Sequence, residues 1–182
     1  MIHCLSDNCV PLLIQQNRDG SDFFNRSWAE FKAGFNDSRG NYWLGNDLLH
    51  QLTDGSRDKF YKLRFDLQVN RNLSWYYAEY GRFVVSSEAD GYKILVTDYS
   101  GNAGDAFRYH DGMRFTTYDR DNELRDDINC AAVNGGGFWY TGKNACGSSN
   151  VNADRTGREG FKWYSRDNGG FYFQSTRMWL TC

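Results

Sequence analysis

Between Phe60 and Val69 the chain reads FYKLRFDLQV, with Leu63, Phe65, Leu67 and Val69 on one side and Lys62, Arg64, Asp66 and Gln68 on the other. Alternation of period two describes a strand with one face on a core and the other in water, a condition typical of antiparallel sheets. The stretch therefore demands antiparallel neighbours. Ser74–Tyr80, Arg82–Ser86 and Tyr92–Thr97 read as strands, with turns at Gly81 and Ala89-Asp90-Gly91. Phe161–Ser165 and Phe171–Leu180 read as late strands, and the short apolar run Val10–Ile14, broken by Pro11, fits an edge strand. Two helices come earlier. Ser27-Trp28-Ala29-Glu30 is a capping box, with Trp28, Phe31 and Phe35 on one helical face and Gly34 at its end. Leu48, Leu49 and Leu52 mark a second short amphipathic helix.

Beyond Tyr99 the alternation gives way to Gly, Asn and Asp with isolated aromatics until Phe161. The fold class that follows is α+β: an antiparallel β-sheet with short helices, then a loop-rich lobe. A chain of 182 residues fits one domain with a substantial core. Its 17% of aromatic residues supplies large buried area per side chain. With 21 basic and 23 acidic residues and no basic block, nothing proposes nucleic acid as a partner. No apolar run approaches the ~20 residues of a membrane span, so membrane insertion is not expected.

The chemically specific stretch is Asp111–Tyr140, DGMRFTTYDRDNELRDDINCAAVNGGGFWY. Asp119, Asp121 and Glu123 alternate through an acidic loop, with Asp126 and Asp127 following. Closely spaced carboxylates and backbone carbonyls suit a hard cation, but the bare composition favours a solvated acidic loop. The loop is not an EF-hand, because Leu124 and Cys130 stand where that motif needs Gly and Glu. Gly135-Gly136-Gly137 leads into Phe-Trp-Tyr and not into a helix with Lys-Thr/Ser, so it is not a phosphate loop. His50 sits among leucines and reads as structural; His3 and His110 lie in poorly patterned segments, and none has a partner at zinc spacing. No nucleophile or acid–base constellation stands out, so the chain reads as a non-enzyme. Asn25, Asn36 and Asn72 head N-glycosylation sequons, an extracellular signal. Five cysteines leave at least one without an internal partner. The start, MIHCLSDNCVPLLIQQ, lacks the basic region of a signal peptide. A secreted-type sequence without a leader is expected of a fragment.

From Val10 onward the chain resembles the fibrinogen C-terminal (fibrinogen-related) domain. The runs that carry the resemblance are Asn17–Ser21 with Trp28, YWLGNDLLHQLT (42–53), YKLRFDLQ (61–68), FVVSSEADGYKILVTDYSGNAGDAF (83–107) and HDGMRFTTYDRDNE (110–123). Cys130, Phe138-Trp139-Tyr140, Cys146, Ser149–Asn152, Trp163 and the final strand through Met178 continue it. The resemblance implies a remnant of a truncated N-terminal subdomain at 1–9, a central sheet subdomain at 10–110 and 171–182, and a loop-rich binding subdomain at 111–170. Cys4 would be the second cysteine of the family's first disulfide; Cys9 and Cys182 have no family counterpart, and their partners stay open. A second disulfide, Cys130–Cys146, is implied, worth about 3 kcal/mol for a loop of this length.

The resemblance also implies a calcium (Ca2+) site, with Asp121 and Glu123 as side-chain ligands and two backbone carbonyls beyond them. Counting forward from Asp121 these are Arg125 and Asp127; counting back from Cys130 they are Asp126 and Ile128. The family's ligand pocket would lie beside Cys146, after a cis peptide at Ala145-Cys146. There Tyr140, Asn144, Ala145, Cys146, Gly147, Trp163 and Phe171 would line a groove. Gly147 stands where acetyl-binding relatives carry His, and the pocket Tyr position falls near Gly157 or Arg158. The function implied is a secreted, calcium-dependent lectin that binds glycans in innate immunity, oligomeric through an upstream segment. The alternative is a protein-binding module resembling angiopoietins and tenascins, docking an extracellular protein receptor.

Overall fold

The structure, a computed structural model, describes residues 10–55, 60–69, 73–142, 146–156, 160–166 and 169–181. Among them an antiparallel sheet runs in the order β2-β3-β1-β9-β4-β5-β6, with β7 and β8 joined to β9 off that path. The strands are β1 (Leu12–Asn17), β2 (Phe35–Asn36), β3 (Tyr42–Trp43), β4 (Tyr61–Val69), β5 (Trp75–Val85), β6 (Ile94–Gly101), β7 (Ser149–Asn150), β8 (Lys162–Ser165) and β9 (Gly169–Thr181). The helices are α1 (Trp28–Ala33), α2 (Asn46–Thr53) and α3 (Cys130–Asn134).

β4 is the strand the alternation requires. Leu63, Phe65 and Leu67 are fully buried, and β5 and β9 flank it on both sides. β9 is the long return strand that joins the first strand to the middle of the sheet, since it also pairs with β1. β1 is therefore an interior strand between β3 and β9, not an edge strand. Pro11 stands just before its first residue, so every N–H that the two ladders need is present. β5 is one continuous strand. Gly81 lies at a bulge where the pairing to β4 shifts between Tyr61 and Leu63, so the glycine bends the strand without ending it.

The capping box at Ser27 and Glu30 forms as expected. α1 stops at Ala33, however, and Phe35 belongs to β2. Its ring still packs on Phe31, centroids 5.0 Å apart, because the chain turns back on itself at Gly34. α3 carries no periodic signal; its N-cap is Asn129, whose side chain accepts from the Ala132 N–H at 2.8 Å.

The loop-rich part, between β6 and β8, joins the sheet through rings. Trp139 meets Trp43, Phe83, Phe107, Phe115 and Phe138 at centroid distances of 5.1–6.2 Å. Phe65 reaches the same seam from β4, against Phe107 at 4.9 Å and Trp163 at 5.0 Å. Phe65→Ala should therefore loosen both halves at once, at a cost of about 3–5 kcal/mol in chemical denaturation. A loss under about 1 kcal/mol would show that the seam is not shared.

Candidate functional site

The acidic loop hangs from α1 and from the aromatic seam. Asp119 accepts from the Trp28 N–H at 2.9 Å and from Thr117 Oγ1 at 2.7 Å, and the Arg120 guanidinium lies 4.0 Å from the centre of the Trp28 ring. Asn122 is fixed by its N–H to Thr116 Oγ1 and its side-chain amide to the Phe115 carbonyl. Between these anchors the two candidate side-chain ligands come together. Asp121 Oδ1 accepts from the Glu123 N–H at 3.4 Å, and Glu123 Oε1 accepts from the Cys130 N–H at 2.6 Å. The second carboxylate oxygen, Glu123 Oε2, is buried without a hydrogen-bond partner. Burial pushes the Glu123 carboxyl up to about 7, against the Cys130 hydrogen bond, with the Asp121 charge adding to the rise. Burial likewise raises Asp121.

A buried carboxylate oxygen with no donor, beside a second carboxylate, is an arrangement that lacks positive charge. The donor set is all oxygen, which fits a hard cation. Among the described residues no group of three or more His, Cys, Asp or Glu side chains is gathered for a metal. A cation here would therefore rely on Asp121 and Glu123 plus backbone carbonyls and water. Arg125 and Asp127 bond each other through their side chains, Nε to Oδ1 at 2.8 Å and Nη2 to Oδ2 at 2.6 Å. That leaves them the carbonyl role alone. Through Glu123 the loop reaches the first N–H of α3.

Cys130 and Cys146 form the expected disulfide, with Cα atoms 5.5 Å apart. It ties α3 to the segment after Tyr140, and that segment lies directly on the acidic loop. A Cβ at Gly142 would come within 2.5 Å of the Leu124 and Arg125 nitrogens, and its φ of +64° suits glycine. Backbone touches backbone at this point, so the acidic loop and the disulfide loop pack directly on each other.

The proposed groove residues take other places. Tyr140 is buried, its hydroxyl donating to the Gly136 carbonyl at 2.6 Å and accepting from Asn150 at 2.8 Å. Trp163 is fully buried and donates to the Gly104 carbonyl at 2.9 Å. Cys146 is buried in the disulfide. These three belong to the core and offer no surface to a ligand, because the rings that a glycan would stack on fill the seam. Phe171 is half-buried; it pairs across the strands with Trp163 but stacks its ring on Tyr76 at 5.2 Å. Asn144 and Ala145, the expected cis peptide, Gly157, Arg158, the Asn72 sequon and Cys4, Cys9 and Cys182 lie outside the described residues. Asn25 and Asn36 are exposed, as modification requires.

Gly147 has an unexpected neighbour. A Cβ there would lie 2.3 Å from Cε1 of His110, so a larger residue at 147 is excluded by an imidazole from elsewhere in the chain. His110 is fully buried. Its Nδ1 donates to the Trp139 carbonyl at 2.7 Å, and its Nε2 accepts from the Ser149 N–H at 3.1 Å. Those two partners fix the neutral ring with the proton on Nδ1. Its sequence position, just before the Asp111-Gly112 turn, carries no periodic signal that would have revealed this.

The sequence profile described as "Fibrinogen beta and gamma chains, C-terminal globular domain" matches residues 3–182. The chain belongs to this family. It is 40% identical over 152 residues to Protein scabrous of Drosophila melanogaster, covering 84% of this chain and 18% of that protein. It is 38% identical over 175 residues to Angiopoietin-related protein 7 of Homo sapiens, covering 91% of this chain and 48% of that protein. This fibrinogen-family chain thus spans less than half the length of either. The fibrinogen-like globe domain of human ANGPTL2 superposes with a TM-score of 0.79 at 32% identity, over 93% of this chain and 79% of that one.

Burial holds the His110 pKa down at about 4, with Lys162 adding to the drop and the Trp139 carbonyl opposing it. The unfolded chain then binds this proton more readily, so stability is full above the ordinary histidine value and falls as pH drops through it. The loss between neutral pH and pH 4 should approach about 3 kcal/mol. His110→Asn keeps a donor and an acceptor without titrating, and should flatten that part of the pH–stability curve. An unaltered curve would remove His110 as its source.

Proposed function

We propose that this chain is an extracellular, non-enzymatic recognition module that binds a protein partner, with one calcium ion bracing the loop beside the surface it uses. The observation that carries the protein reading is the outer face of the β8–β9 hairpin. Tyr164 and Tyr172 stand on it 55% and 66% exposed, and the register Lys162↔Tyr172 and Tyr164↔Gly170 puts both rings on one face. β7 pairs with β8 directly after Gly147, so the hairpin adjoins the disulfide loop. Rigidly mounted tyrosines with large exposed area are common anchors in protein interfaces. Kinship with angiopoietin-related proteins supports this reading. The burial of Tyr140 and Trp163 weighs against a glycan groove lined by them.

Calcium in the acidic loop would supply the positive charge that Asp121 and the buried Glu123 oxygen lack. Asp121 and Glu123 would hold it, with carbonyls of Arg125 and Asp127. Gly142 would carry the resulting order to the disulfide loop, because the two backbones are in contact there.

Two measurements test the reading. Calcium at a hundredfold excess over its Kd should raise the melting temperature of metal-free protein by roughly 5 °C. Asp121→Ala should abolish that shift, and a shift surviving in the variant would refute the loop as the site. For the partner, the protein is screened against arrayed receptor ectodomains and arrayed glycans, with calcium and with chelator. A protein hit should weaken at least about tenfold in the Tyr164→Ala, Tyr172→Ala double variant. Glycan binding that persists in that variant, with no protein hit, would overturn the protein reading.

A further inference from the structure

A cavity of about 160 Å³ lies against the acidic loop, lined by Lys93, Gly112, Met113, Arg114, Asn122 and Leu124. It sits where β6 begins. The Gly112 N–H donates to the Ile94 carbonyl and the Ile94 N–H to the Met113 carbonyl, so the 112–114 turn is pinned to the strand that Lys93 precedes. Lys93 and Arg114 thus stand on one rigid rim. The stem of Arg114 lies across the Gly91 turn, where a Cβ at Gly91 would be 3.1–3.3 Å from its carbons. Among the described residues neither cation has a carboxylate at ion-pair distance, whereas Lys32, Arg120 and Arg125 each do.

Two unpaired cations on a small, fixed concavity point to an anion. The volume is below that of ordinary small-molecule pockets and suits one side chain. The remaining walls indicate what carries the charge. Among the described residues no aromatic ring lines the cavity, so a sugar would have nothing to stack on. Met113 and Leu124 do line it, and Leu124 is 57% exposed. An exposed leucine beside a methionine is an adaptable apolar wall suited to aliphatic peptide side chains. Asn122, held by its two donated hydrogen bonds, keeps its amide oxygen for a donor from outside.

We propose that this cavity is an anchor site for an acidic side chain of a protein partner, with the carboxylate against Lys93 and Arg114 and an adjoining aliphatic side chain on Met113 and Leu124. The inference deepens the protein-binding reading and rests on it. It gives the partner a second contact, at Asn122 and Leu124 of the acidic loop.

The test is an NMR titration of the full, isotope-labelled chain with N-acetyl-Asp-Leu-amide, N-acetyl-Asn-Leu-amide and methyl glucuronide. The Asp peptide should bind with a Kd on the order of millimolar, as expected of one side-chain anchor. It should shift the amides of Lys93, Gly112–Arg114 and Asn122–Leu124. The Asn peptide and the glucuronide should each bind at least about tenfold more weakly. Lys93→Glu with Arg114→Glu should abolish the response, and Leu124→Ser should weaken it; all three side chains face solvent, and the dispersion of the spectrum reports that each variant is folded. Equal binding of the Asn peptide would show that charge does not matter and overturn the proposal. Equal or tighter binding of the glucuronide would overturn it in favour of an anionic glycan, and a response that survives the charge reversal would place the site elsewhere. If these fail while partner binding still depends on Tyr164 and Tyr172, the cavity assignment falls and the protein-binding reading stands.

Discussion

A buried backbone group must find a partner, and most of the chain between β6 and β8 lies outside any strand ladder. The structure meets this demand with side chains. Gln15 and Asn17, on the interior strand β1, both donate to the Val151 carbonyl. Asn152 donates to the Gly137 carbonyl, Asn134 to that of Cys130, and Tyr140 to that of Gly136. His110 closes the set by joining the Trp139 carbonyl to the Ser149 N–H. These groups are buried, so each bond is worth more than its surface counterpart and each loss leaves an orphan. The loop-rich lobe is therefore as defined as the sheet, although it has little regular structure.

The acidic loop inherits its position from that lobe. One end hangs from α1 through Asp119 and Trp28, and the other runs into α3 through Glu123 and Cys130. Gly142 lies against its middle. A loop held at three points can carry a buried carboxylate oxygen without a partner. The same loop supplies Asn122 and Leu124 to the cavity that Lys93 and Arg114 line.

Much of the sheet was legible in the sequence, because alternation in β4 reports burial residue by residue. The errors fell where two signals competed. Pro11 read as a mark of an edge strand, but a proline one residue outside a strand removes no ladder bond, and β1 is interior. Gly81 read as a turn, but at a bulge a glycine bends a strand without ending it. Phe35 matched a helical face by spacing, yet reached Phe31 from a neighbouring strand. In the site, the acidic pair and the disulfide were legible through resemblance to a family whose motifs are long. The groove was not. Tyr140 and Trp163 are aromatics placed near Cys146 by the family pattern, and aromatic identity does not distinguish a ligand platform from a core.

By itself the sequence determined the class of fold, the family and the residues that crowd negative charge into one loop, since all three are written in local pattern and local composition. Only the tertiary structure decided which of those residues face solvent. It decided that His110 fills the space beside Gly147, that Glu123 keeps one oxygen unpaired, and that Lys93 and Arg114 meet Leu124 across a cavity. Each of these joins segments that are distant along the chain or depends on burial from several sides. Periodicity records how one segment meets a core, and holds no record of which other segment completes it.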